Sequence, residues 1–93
     1  MKRGKVESSL QRKGFRKDQG GNHKRFVYVR LCGEKTNIFT VTSHGAAGKD
    51  ISSYLVTRMA KQCRVREDTF REIVKCDIGQ EEYEEILVNS EIL

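Results

Sequence analysis

The chain predicts an α+β domain built on a three-stranded antiparallel sheet, and three observations carry that reading. Two runs rich in β-branched and aromatic residues, 23–31 (HKRFVYVRL) and 36–42 (TNIFTVT), stand next to each other. Apolar residues at helical spacing flank them on both sides, and Gly14, Gly20, Gly21 and Gly33 fall at the joints. With 93 residues, 37% hydrophobic and 33% charged, the chain has material for one modest core and therefore for one domain.

Taken in order, Val6 and Leu10 are four apart and are followed by Lys13-Gly14, the pattern of a short helix closed by a glycine. Residues 15–19 read as extended, Gly20-Gly21-Asn22 as a turn, and 23–31 as the clearest strand. Cys32-Gly33-Glu34-Lys35 supplies a tight reversal into 36–42, which makes the three strands a meander. After a loop, Asp50 is the expected N-cap of a second helix carrying Ile51, Tyr54, Leu55, Met59 and Gln62 or Cys63 on one face, as the main lid on the sheet. Phe70, Ile73 and Val74 mark a third helical stretch. Asp77 and Gln80 are the expected capping box of a fourth, with Tyr83, Ile86 and Leu87 inward. Of Phe26, Tyr28, Phe39 and Tyr54, three are expected in the core. The order is α-β-β-β-α with two short C-terminal helices.

Charge is divided along the chain. Residues 1–63 hold 14 Lys+Arg against 4 Asp+Glu, net +10, and residues 64–93 hold 4 against 9, net −5, which together give the formal +5. A concentrated positive field is the electrostatic footprint of a phosphate-bearing partner, because each neutralised phosphate releases counterions.

Several function classes find no support. No apolar run approaches the roughly 18 residues of a membrane span. The basic start, Met1 to Glu7, is followed by Ser8, Ser9, Leu10, Gln11 and Arg12 instead of an apolar stretch, so no secretory signal is expected and the cytoplasm is the expected compartment. Cys32, Cys63 and Cys76 form no C-x-x-C and read as reduced thiols. No Gly-rich loop followed by Lys-Ser/Thr suggests a nucleotide cofactor. The two histidines have no carboxylate or cysteine placed beside them to complete a metal site, so no metal and no cofactor are expected.

An α-β-β-β-α unit with a basic N-terminal half is the outline of the double-stranded-RNA-binding fold, which reads RNA by shape, phosphates and 2′-hydroxyls. Particular residues sharpen it. Lys13-Gly14-Phe15 ends the first helix, Gly20-Gly21-Asn22-His23-Lys24-Arg25-Phe26 enters the second strand, Thr40-Val41-Thr42-Ser43-His44-Gly45 ends the third, and 49–65 is the second helix. In that order and spacing the chain resembles the HicA family of mRNA interferase toxins over about residues 5–65. It departs at Asn22, where the family usually has Ser, and at Thr42-Ser43, where the family often has Pro. The resemblance divides the chain into an RNA-cleaving part, 1–65, and an acidic helical extension, 66–93, packed on the same domain. It implies a double-stranded-RNA-binding-like fold and a metal-independent endoribonuclease acting on mRNA through a single histidine, His23. Products with a 2′,3′-cyclic phosphate and a 5′-hydroxyl, and a HicB-type antitoxin as protein partner, follow from the same resemblance.

The chemistry stands beside it. Cutting RNA without a metal requires a base for the 2′-OH proton and an acid for the leaving 5′-oxygen, and imidazole, with an ordinary pKa of about 6.5, serves either role. His23 is the candidate. Lys24 and Arg25, with Arg16 and Lys17 on the adjoining strand, are placed to stabilise charge on the scissile phosphate. Gly21 lets backbone approach a phosphate closely. The expected RNA-contacting set is Lys13, Arg16, Lys17, Gly21, Asn22, Lys24, Arg25, His44 and Lys49, with Lys2, Arg3, Lys5 and Arg12 adding phosphate contacts along the first helix. The alternative is a non-catalytic RNA-binding module with the same basic face. A blander reading is an interaction domain whose acidic tail recruits a basic partner.

Overall fold

The structure, a computed structural model, describes residues 1–20, 23–43 and 49–93. Its elements are α1 (Arg3–Arg12), β1 (Phe15–Gly20), β2 (His23–Val29), β3 (Lys35–Ser43), α2 (Ser53–Gln62), α3 (Glu67–Val74) and α4 (Gln80–Asn89). The strands form one antiparallel sheet in the order β1-β2-β3. No helix among the described residues is long and apolar enough to cross a membrane.

Alternation gives the sheet two different faces. Phe15, Tyr28, Phe26, Thr40 and Thr42 share one face by register, and on it Phe15, Phe26, Tyr28 and Ile38 enter a single core with residues of all four helices. Val6 and Leu10 of α1, Val56, Met59 and Ala60 of α2, Phe70, Ile73 and Val74 of α3, and Tyr83 and Leu87 of α4 complete it. The acidic extension thus shares its core with the rest of the chain. The opposite face carries Arg16, Asp18, Arg25, Val27, Phe39 and Val41, with Val27 buried there outside the core cluster.

The first helix closes where the sequence places the glycine. Gly14 has φ +96°, and a Cβ there meets the Gln80 side-chain amide and lies 3.0 Å from Tyr28 Cε1. Gly14→Ala is expected to destabilise by about 1–2 kcal/mol from backbone conformation alone, and more as Gln80 gives up its contacts. A urea titration checks this; an unchanged midpoint would refute it. The second reversal holds too: Gly33, with φ +93°, donates its amide to Arg30 O at 2.8 Å, and Arg30 N donates to Glu34 O at 2.8 Å. The β2–β3 ladder is irregular between Val27 and Val29, and there Thr36 Oγ1 donates to the Tyr28 carbonyl at 2.8 Å.

The helical part differs from expectation at three points. Asp50 does not cap α2: it pairs with Lys2 Nζ at 3.3 Å, and the cap is Ser52, whose Oγ accepts from Leu55 N at 3.3 Å. The buried face of α2 is Val56, Met59 and Ala60, while Tyr54 is 73% exposed. Residues follow one another at about 100° around a helix, so packing through Val56 and Ala60 turns Tyr54 outward. With Tyr54 and Phe39 both exposed, two of the four aromatics named above are in the core, Phe26 and Tyr28. Finally, α4 has no side-chain cap, because Gly79 is its N-cap and Gln80 turns inward, donating to Val29 O at 3.2 Å and Tyr28 Oη at 3.4 Å.

Polar bonds tie distant elements together. Ser9 Oγ donates to Val74 O at 2.8 Å, and Tyr83 Oη donates to Cys63 O at 2.8 Å. Glu84 accepts from Tyr28 Oη at 2.8 Å, from Leu31 N at 3.0 Å and from Arg30 Nη2 at 3.4 Å. Burial pushes the Tyr28 phenol up to about 12. Burial also pushes the Glu84 carboxyl up, but the Leu31 amide, the Tyr28 hydroxyl and Arg30 outweigh it and hold the group below the usual carboxylate range. A lowered folded-state pKa means the contribution is complete above the ordinary value of about 4.3 and is lost as pH falls through the folded one. Glu84→Gln is expected to destabilise by about 1.5–3 kcal/mol at neutral pH, with a shallower loss on acidification than wild type. Parallel stability–pH curves for the two proteins would contradict this.

Candidate nucleic-acid interface

The sheet sets the site through three rows of cross-strand backbone partners. The first is Gly20–His23–Ser43, the next Asp18–Arg25–Val41, and the third Arg16–Val27–Phe39. His23 therefore opens the middle strand, paired by backbone on both sides, and Arg25 stands one row away. Arg25 is half exposed; its Nη2 reaches Asp18 Oδ2 at 3.2 Å and its guanidinium carbon lies 5.5 Å from the centroid of the Phe39 ring. An exposed ion pair of this kind is worth at most about 1 kcal/mol, so a phosphate can compete for this guanidinium. Arg16 and Lys17 are exposed, and Arg16 belongs to the third row, two rows from His23.

Other members of the expected set go elsewhere. Lys24 falls on the helix side of the sheet, where Nζ lies 3.3 Å from Glu7 Oε1 with both side chains largely covered. The second oxygen of Glu7 accepts from Thr42 Oγ1 at 2.8 Å. Glu7 thus joins α1 to β2 and β3 at the end of the sheet that holds His23. Lys13 is buried as the C-cap of α1, beside Phe15, at the far end of β1 from Gly20, about 17 Å along the strand. Lys49 is exposed, and its carbonyl accepts from Arg3 N at 2.9 Å. Gly21, Asn22 and His44 lie outside the described residues.

The structure therefore places Arg25 and Arg16 on one face, with His23 opening the strand that carries Arg25, and separates Lys13 and Lys24 from them. Sequence reading missed Glu7; its signal was being the only carboxylate in a basic first helix. Among the described residues no group of three or more His, Cys, Asp or Glu is placed to hold a metal ion. Burial pushes the Cys63 thiol up, which suits a core position and not a nucleophile. Searches of protein-family models, of curated proteins and of solved structures find nothing that matches this chain.

Proposed function

We propose that this protein is a metal-independent endoribonuclease that cuts mRNA with His23, the toxin of a toxin–antitoxin pair of the HicA kind. The observation that carries the reading is the position of His23 at the head of the middle strand, one row from Arg25, within an α-β-β-β-α order. That order supports a double-stranded-RNA-binding-like fold for α1 to α2, with α3 and α4 added. The imidazole takes the proton of a 2′-hydroxyl, whose oxygen attacks the adjacent phosphorus. The bond from phosphorus to the 5′-oxygen breaks, and the imidazolium returns the proton to that oxygen. A 2′,3′-cyclic phosphate and a 5′-hydroxyl result. Arg25 stabilises the charge gathered on the phosphoryl oxygens.

In the cell the partners are mRNA and a HicB-type antitoxin in the cytoplasm, the antitoxin presenting acidic groups to the basic face. The test is incubation of purified wild-type and His23→Ala protein with a defined mRNA in EDTA, with the product ends characterised. Cleavage that survives EDTA, leaves cyclic-phosphate ends and vanishes in the variant is the expected result. Intact RNA with both proteins, while binding persists, would leave a non-catalytic RNA-binding module instead.

A further inference from the structure

A second basic surface lies along the seam between β3 and α2. A groove of about 350 Å³ is lined by Asn37, Phe39, Arg58, Lys61, Gln62 and Arg64. Its three cations recur every third residue, so Arg58 and Lys61 rise about 4.5 Å apart along one face of α2, and Arg64 follows just past the helix end. Among the described residues none of the three is in an ion pair, whereas Arg25, Arg30, Arg66 and Arg71 all are. Phe39 is 42% exposed, unusual for a phenylalanine in a sheet, and Arg25 stands over its ring. Gln62 uses its carbonyl oxygen to accept from Thr40 Oγ1 at 2.7 Å, which leaves its amide hydrogens for another acceptor.

The groove does not end at Arg58. Arg58 and Gln62 also wall an adjoining cavity of about 320 Å³ whose floor includes Val41, Ile51 and Met59 and which reaches Thr42. The seam thus runs from Asn37 to the residue before Ser43, the cross-strand partner of His23. From Phe39 to Ser43 is about 13 Å of strand, a length that a short stretch of single strand covers.

We propose that this seam is a subsite for single-stranded RNA, with a base stacked on Phe39 and the flanking phosphates held by Arg58, Lys61 and Arg64. The inference rests on the RNA-cleaving reading and extends it by naming where the strand lies away from the cut. Unpaired cations around an exposed aromatic match the backbone charge and the π-faces of a single strand, and both features tolerate any sequence. A duplex, whose bases are already stacked, gains nothing from Phe39.

The experiment measures binding of a labelled twelve-nucleotide single-stranded RNA, and of the same sequence as a duplex, in a His23→Ala background that keeps the probe intact. Phe39→Leu preserves apolar cover over Val27 and removes the aromatic face; it is expected to weaken single-strand binding roughly tenfold and to leave duplex binding unchanged. The triple variant Arg58→Gln, Lys61→Gln, Arg64→Gln is expected to flatten the dependence of log affinity on log salt by about 0.7 per cation removed. In the His23-containing protein the triple cation variant raises KM with kcat unchanged, the mark of lost uniform binding. Melting temperatures equal to the parent's show that each variant is folded, and the cation variant, on an exposed helix face, tests the seam independently of Phe39. If wild type cleaves RNA while both sets bind with parental affinity and salt slope, the subsite is refuted and the nuclease reading stands. If wild type neither binds nor cleaves RNA at low salt, both fall.

Discussion

In His23→Ala protein, cleavage of a defined mRNA is expected to fall by about 10²- to 10⁴-fold, the usual worth of a positioned acid–base group. RNA affinity is expected to stay within about twofold of wild type, since it comes from cations meeting phosphates, and Arg16, Arg25 and the α2 cations are untouched. The separation of rate from affinity distinguishes a catalytic histidine from one that merely helps to hold RNA. Single-turnover cleavage and fluorescence anisotropy on the same substrate measure the two quantities. A variant that cuts at the wild-type rate removes His23 from the mechanism; one that loses binding and cleavage together makes it a contact residue only.

Tyr83→Ala is the second large effect, an expected loss of about 3–5 kcal/mol, a substantial share of the 5–15 kcal/mol that holds a domain of this size. Tyr83 has no exposed surface, its ring centroid lies 5.0 Å from that of Tyr28 in an edge-on contact and 5.6 Å from that of Phe15, and its hydroxyl satisfies the Cys63 carbonyl at 2.8 Å. Burial pushes its phenol well above the ordinary value, so the bonded neutral form is what the core holds. Truncation removes the ring contacts, opens a cavity between α4 and the sheet, and leaves the Cys63 carbonyl without its donor. The melting temperature is expected to drop by about 12 °C or more. Tyr83→Phe, which keeps the ring, is expected to lose only about 1 kcal/mol. Should Tyr83→Ala melt like wild type, α4 is not part of the cooperative core and residues 66–93 are an appendage.

Much of the fold was legible because the deciding signals are local. Val6, Leu10 and Gly14 give α1 and its stop, the runs 23–31 and 36–42 give β2 and β3, and Phe70, Ile73 and Val74 give α3, each through spacing within one or two turns or along one strand. The errors fell where one residue's local fitness competed with a tertiary contact. Asp50 is as good an N-cap as Ser52 by composition, but the bridge to Lys2 draws Asp50 away and moves the helix start. Gln80 suits a capping box, yet the carbonyl of Val29, far away in sequence, is the acceptor it serves.

The candidate site divides along the same line. The sequence by itself determined that His23 opens a strand, that Lys24 and Arg25 follow it there, and that the cations crowd the first two thirds of the chain. Only the tertiary structure decided which of those cations remain available. Glu7 takes Lys24 from 17 residues away and Thr42 from 35, Lys13 is enclosed at the distant end of α1, and Arg58, Lys61 and Arg64 meet Phe39 across a seam between two elements. Periodicity is written into neighbouring residues, whereas the neutralisation of a charge depends on whatever the folded chain brings within a few ångströms of it.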